Sequence, residues 1–132
     1  MDLTVSREAL AAMQRAAADA HPDEACGVLL GERDHVTEAR SCANVHEAPR
    51  DRFEIDPKAL IDAHRAARAG GPQVLGYFHS HPRGRAIPSA TDAAMAANDG
   101  AIWAILDSAG SARFFRDTDQ GFRALSYLLE PG

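Results

Sequence analysis

The chain predicts an α/β (α+β) fold, with a single mixed β-sheet of about six strands and helices packed on it. Three observations carry this expectation. Segments with helical apolar spacing alternate with short apolar runs of strand length. Clusters of Gly, Pro, Asp and Asn punctuate nearly every junction. Helices and strands interleave along the chain, which favours one sheet covered by helices over two separate modules.

Taken in order, Ser6 to Ala20 predicts a helix, with Ser6 as N-cap and Ala9, Leu10, Met13, Ala16 and Ala17 on one apolar face. His21-Pro22 stops it. Asp23 to Gly31 reads as a buried strand, Glu32 to Asp34 as a turn, and His35 to Asn44 as the return strand of a hairpin. Val45 to Arg52 reads as a loop and Phe53-Glu54-Ile55 as a short strand. Asp56-Pro57 opens a second helix, Asp as cap and Pro at the first helical position, with Leu60, Ile61 and His64 on its inner face. Gly70-Gly71-Pro72 ends that helix near Ala69. Gln73 to His81 is the expected central strand, and Pro82 to Pro88 a loop. Ser89 or Thr91 starts a third helix that ends near Asn98-Asp99-Gly100. Ala101 to Leu106, Ala112 to Arg116 and Phe122 to Leu129 complete the strands.

A chain of 132 residues with 45% apolar and 25% charged residues suits one domain, residues 1–132, with its own core. The formal charge of −5 argues against nucleic acid as a partner on net charge. No run approaches the length of a membrane span, and the N-terminal residues lack the basic and apolar regions of a signal peptide, so the expected location is cytoplasmic. Two cysteines, Cys26 and Cys42, are too few for a four-cysteine metal site and read as buried free thiols in a reducing compartment. Oligomeric state is left open, a homodimer included.

The chemistry concentrates between Gly76 and Asp92. His79 and His81 stand one residue apart at the end of the predicted central strand, so their side chains share a face and reach one metal ion. Pro82 and Gly84 end the strand, which puts both imidazoles at its mouth. Asp92, from beyond the turn, is a candidate third ligand, and three protein ligands with an open fourth position describe a catalytic zinc site. Ser89-Ala90-Thr91-Asp92 also reads as a helix capping box, which explains its spacing with no metal; the two readings are compatible. A zinc hydrolase further needs a carboxylate that is not a ligand, to carry a proton. Glu24 is a candidate, although spacing alone does not select it over Glu32, Glu47 or Glu54.

The set Glu24, His79-Ser80-His81-Pro82 and Ser89-Ala90-Thr91-Asp92 resembles the motif of the JAMM (MPN+) zinc metalloproteases. Glu24 to Gly31 is similar to the first strand of that family. Asn44 and Phe53-Glu54-Ile55-Asp56-Pro57 resemble recurrent features of its small stand-alone prokaryotic branch. The resemblance spans essentially the whole chain and implies an MPN fold, related to that of cytidine deaminases. It also implies Zn²⁺ on His79, His81 and Asp92, with Glu24 as general base and then acid, and Ser89 supporting the oxyanion. The implied activity is hydrolysis of the amide bond after the C-terminal Gly-Gly of a ubiquitin-like β-grasp sulfur-carrier protein. Deubiquitinase-like cleavage of protein conjugates and a non-catalytic MPN scaffold are the alternatives, and the intact ligand set disfavours the scaffold. A nucleoside deaminase would need H-x-E and P-C-x-x-C, which Cys26 and Cys42 do not provide. Arg83 and Arg85 flank the motif as substrate contacts or as solvated loop charges.

Overall fold

The computed structural model describes residues 1–131. Its elements are β1 (Leu3–Val5), α1 (Arg7–Ala20), β2 (Cys26–Glu32), β3 (His35–Cys42), α2 (Pro57–Arg68), β4 (Gln73–Ser80), α3 (Ala90–Met95), β5 (Ile102–Leu106), β6 (Ala112–Thr118), β7 (Gly121–Leu125) and β8 (Tyr127–Leu129). The eight strands form one mixed sheet in the order β7-β6-β5-β4-β2-β3-β1-β8. β4 pairs antiparallel with β2 on one side and parallel with β5 on the other, so the strand that carries the histidines is interior to the sheet. Among the described residues no helix is long and apolar enough to cross a membrane.

The alternation of side chains on β4 divides the core. Phe78 joins Met13 of α1, Ile102, Ala104 and Phe114 on one face. Tyr77 packs on the other face with Phe53, Ile55, Trp103 and Leu60 of α2. The helices therefore cover opposite faces, as expected of a sheet that buries both sides. On α1 the buried residues are Ala9, Met13 and Ala16, with Leu10 and Ala17 packed beside them. On α2 the inner residues are Leu60 and Ala63, not Ile61 and His64, which are exposed. The inner stripe is set by where the helix touches β4, and a short alanine-rich helix leaves that phase weakly specified.

Three strand assignments differ from expectation. β1 has only three residues, too few for a periodic signal, and exists because it pairs in parallel with both β3 and β8. Residues 53–55 make only an isolated bridge, Asn44 to Ile55. The expected last strand is two strands broken at Ser126. β7 pairs with β6 at one margin of the sheet, while β8 pairs with β1 at the other. One residue joins these opposite margins, so the sheet curls until they approach, and Phe114 of β6 meets Tyr127 of β8 at a ring separation of 4.7 Å. Ser126 is held at this corner by Asp2, whose carboxylate accepts from the Ser126 amide at 2.9 Å and hydroxyl at 3.1 Å. The third helix stops at Met95, short of Asn98-Asp99-Gly100, because the Asn98 amide donates to the buried Asp117 carboxylate at 3.1 Å and turns the chain away.

Gly76 faces Ile102 of β5 with no room for a side chain. A β-carbon there would lie 1.8 Å from the Ile102 carbonyl oxygen, so any side chain would force β4 off β5. Gly76→Ala is expected to destabilise the fold by about 3 kcal/mol, read as a lowered urea midpoint. An unchanged midpoint would refute this account of the glycine.

Candidate active site

Three of the five singled-out side chains converge at the C-terminal end of β4. His79 is its penultimate residue and is fully buried, and His81 follows directly. His79 and His81 turn their Nε2 atoms toward each other, 3.0 Å apart. Asp92 brings its carboxylate between them, with Oδ1 3.1 Å from His79 Nε2 and Oδ2 3.2 Å from His81 Nε2. One donor atom from each residue lies within 4.8 Å of the others.

Each ligand candidate is held by a separate device. The full capping box is present: Ser89 Oγ accepts from the Asp92 amide at 3.0 Å, and Asp92 Oδ2 accepts from the Ser89 amide at 2.9 Å. The helix cap and the presentation of the carboxylate are thus one arrangement, although Asp is not the usual third residue of such a box. His81 Nδ1 lies 2.7 Å from the Arg85 carbonyl oxygen. A carbonyl only accepts, so Nδ1 carries the proton and the neutral ring turns a lone pair at Nε2 inward. His79 stacks on Phe53 at a ring separation of 4.4 Å and an interplanar angle of 20°, with Trp103 edge-on at 5.7 Å. Its Nδ1 is buried without a hydrogen-bond partner.

The donor chemistry of this cluster fits a metal cation. Two imidazole nitrogens and a carboxylate, all electron-pair donors, face one another at 3.0 to 3.2 Å. Such groups repel unless positive charge lies among them. With only protons available, the titration of the cluster expresses the same demand. Burial lowers the His81 pKa, but the hydrogen bonds to Asp92 and Arg85 and the charges of Asp92 and Glu24 outweigh it and leave it raised. Burial raises the Asp92 carboxyl, yet the bonds from His79 and His81 hold it far below the usual range. Burial dominates at His79 and keeps its pKa low, which favours the neutral, ligating ring.

Glu24 and Ser89 meet His81 in an adjoining open cleft of about 250 Å³, whose rim is formed by Arg50, Asp51, Pro82, Arg83, Gly84 and Thr91. Glu24 is buried, and its carboxyl is pushed up to about 7, first by burial and then by the charges of Asp92 and Asp51, with His81 opposing. A carboxyl near neutrality suits proton transfer in both directions. Of the four glutamates that spacing left open, Glu24 lines this cleft, and Glu32, Glu47 and Glu54 do not. Of the two flanking arginines, Arg83 spans the rim to Asp51 at 2.7 Å, and Arg85 contributes its backbone carbonyl to His81. Cys26 is buried and its thiol is pushed up to about 12, chiefly by burial; Cys42 is half-buried. Phe53 as the partner of His79 had no sequence signal of its own, because the stacking forms only when the loop before α2 folds back over β4.

The chain is similar to known proteins over most of its length. Residues 6–118 match the family of prokaryotic homologs of the JAB domain. A desampylase from Haloferax volcanii is 34% identical over 139 residues, covering 97% of this chain and 100% of that protein. A probable TtuB-protein conjugate cleaving protease from Thermus thermophilus is 38% identical over 71 residues, 54% of this chain and 47% of that protein. The solution structure of a protein from Desulfitobacterium hafniense superposes with a TM-score of 0.88 at 29% identity, covering 98% of this chain and 94% of that one. The chain accordingly belongs to the prokaryotic JAB-domain family, of JAMM (MPN+) type, and is a metallopeptidase.

Proposed function

We propose that this protein is a zinc-dependent isopeptidase that hydrolyses the amide bond after the C-terminal Gly-Gly of a ubiquitin-like β-grasp sulfur carrier. The observation that carries the reading is the convergence of His79, His81 and Asp92 beside a cleft that also holds Glu24 and Ser89. The relatives' names, a desampylase and a protease that cleaves TtuB-protein conjugates, support a protein conjugate as substrate. The free thiols Cys26 and Cys42 suit a reducing, cytoplasmic setting.

In this reading His79 Nε2, His81 Nε2 and one Asp92 oxygen hold Zn²⁺. The metal supplies Lewis acidity toward the amide carbonyl and lowers the pKa of water. Glu24 takes a proton from the attacking water onto its carboxylate and returns it to the leaving amine nitrogen, so acid and amine form with the proton count balanced. Ser89 Oγ accepts from the Asp92 amide with a lone pair. Its own O–H therefore remains to donate to the carbonyl oxygen as negative charge grows there. The Gly-Gly tail fits because a backbone without side chains can lie close to the cluster.

Glu24→Gln is expected to keep one zinc per chain and to lower kcat by ~10²–10⁴-fold, whereas His81→Ala loses metal and activity together. Zinc analysis with turnover assays checks both, and full activity in the Glu24 variant refutes the general-base role. Against substrates, the protein is expected to cleave a carrier extended beyond Gly-Gly and to act poorly on ubiquitin chains; the reverse preference rejects the sulfur-carrier assignment.

Glu24 also predicts a pH-dependent stability of the metal-free protein. Its folded pKa of about 7 lies above the ordinary glutamate value of 4.5. The neutral carboxyl favours the fold fully below 4.5, and that contribution is lost as pH rises through 7. Relative to wild type, metal-free Glu24→Gln is therefore expected to gain about 1–3 kcal/mol at pH 8 and almost none at pH 4.5. Urea unfolding at the two pH values measures this, and an equal difference at both would remove burial of the carboxylate as its cause.

A further inference from the structure

The backbone that carries Glu24 lies outside the strand ladder, because β2 begins only at Cys26. Its four backbone polar groups nevertheless all have partners. The Glu24 amide donates to the Pro49 carbonyl at 2.7 Å, and the Glu24 carbonyl accepts from Asn44 Nδ2 at 3.0 Å. The Ala25 amide donates to Ser80 Oγ at 2.8 Å, and the Ala25 carbonyl accepts from the Ser80 amide at 3.0 Å.

We propose that Ser80 and Asn44 are positioning residues that fix Glu24 relative to the metal-ligand cluster, Ser80 from the strand that carries both histidines and Asn44 from the loop on the other side. The inference rests on Glu24 being the general base. Ser80 stands where β4 parts from β2. The last paired residues of these two strands are Cys26 and His79, while the His81 amide goes on to donate to the carbonyl of Leu106, the last residue of β5. At that divergence a side-chain oxygen takes the place of a ladder carbonyl, so the residue between the histidines must carry an acceptor on its β-substituent. Ser80 is only 3% exposed, which keeps its hydroxyl away from substrate and makes its action indirect. One covalent step on either side of it lies a histidine of the cluster. The hydroxyl thus couples the Glu24 segment to the chain that carries both histidines.

Asn44 acts as the second anchor. Its Nδ2 donates to the carbonyls of Glu24 and Arg52, both at 3.0 Å, and lies 3.4 Å from that of Pro49. Its Oδ1 accepts from the amides of His46 and Glu54, both at 3.1 Å. One side chain thereby closes the loop from Val45 to Phe53 and ties it to Glu24. Aspartate has the same shape and keeps the acceptor, but it cannot donate to Glu24.

A structural hydroxyl and a positioning hydroxyl differ in how they combine with Glu24. Ser80→Ala is expected to retain one zinc per chain and a KM within about twofold of wild type, with kcat lowered by ~10–100-fold, the usual range for groups that orient a metal site. In a Glu24→Gln background the same change is expected to alter kcat by less than about twofold, because its effect runs through Glu24. Hydrogen exchange supplies a readout free of substrate: the Ala25 amide exchanges faster in Ser80→Ala while the His81 amide keeps its protection. Should Ser80→Ala fail to fold, Asn44→Asp serves in the same cycle. The substrate is a β-grasp carrier with a short peptide fused after Gly-Gly. Unchanged kcat, an equal loss in both backgrounds, or loss of zinc that accounts for the loss of turnover each overturns the proposal. Full activity of Glu24→Gln alone, or no wild-type turnover of this substrate, instead rejects the reading of the site on which the proposal rests.

Discussion

Three electron-pair donors are forced to face one another in a largely buried spot, and the surrounding structure is arranged to hold them there. Left to themselves, His79, His81 and Asp92 would separate into water. Rigidity prevents this. β4 is fixed on both flanks by β2 and β5, the short helix α3 is locked by its own capping box, and the His81 ring is pinned to the Arg85 carbonyl. Supporting contacts of this kind are what keep a set of candidate metal ligands in one fixed geometry.

The same logic explains the contrast between the two histidines. His79 lies in an aromatic wall of Phe53 and Trp103, where a charged ring is penalised. His81 stands at the cleft, where Asp92 and Glu24 favour positive charge. Two identical residues one position apart thus occupy opposite electrostatic environments, one facing the core and one the solvent side of the same centre. Glu24 stands in between: buried enough for its pKa to rise, and open enough to the cleft to exchange a proton there.

The curled sheet serves this arrangement at a distance. β7 and β8 form opposite margins although a single residue joins them, and Asp2 with Ser126 closes the corner. The curl wraps one face around α1, so that apolar residues from both margins share a core with Met13 and Phe78. The other face is left to α2 and the loop before it, and the candidate site opens there. β1, which the local pattern did not reveal, and β8, which it ran together with β7, are both three residues long and depend wholly on pairing. The bridge at Ile55 and the early end of α3 have the same origin: a distant partner, Asn44 or Asp117, overrides local preference.

By itself the sequence determined what depends on near neighbours. Strand alternation put His79 and His81 on one face, Pro82 ended the strand beyond them, and Ser89 with Asp92 wrote a helix cap whose carboxylate has a defined direction. The motif as a whole also resembled the family that the comparisons then showed. Tertiary structure decided what depends on chain segments that meet from afar. It brought Glu24, and not Glu32, Glu47 or Glu54, into the cleft beside His81 and buried it there. It put Phe53 under His79, set which stripe of α2 faces the sheet, and gave Ser80 a role that no spacing announces. The physical reason is the same in each case: local periodicity orients a side chain relative to its own backbone, whereas burial and hydrogen-bond partners are supplied by whichever other segment the fold brings against it.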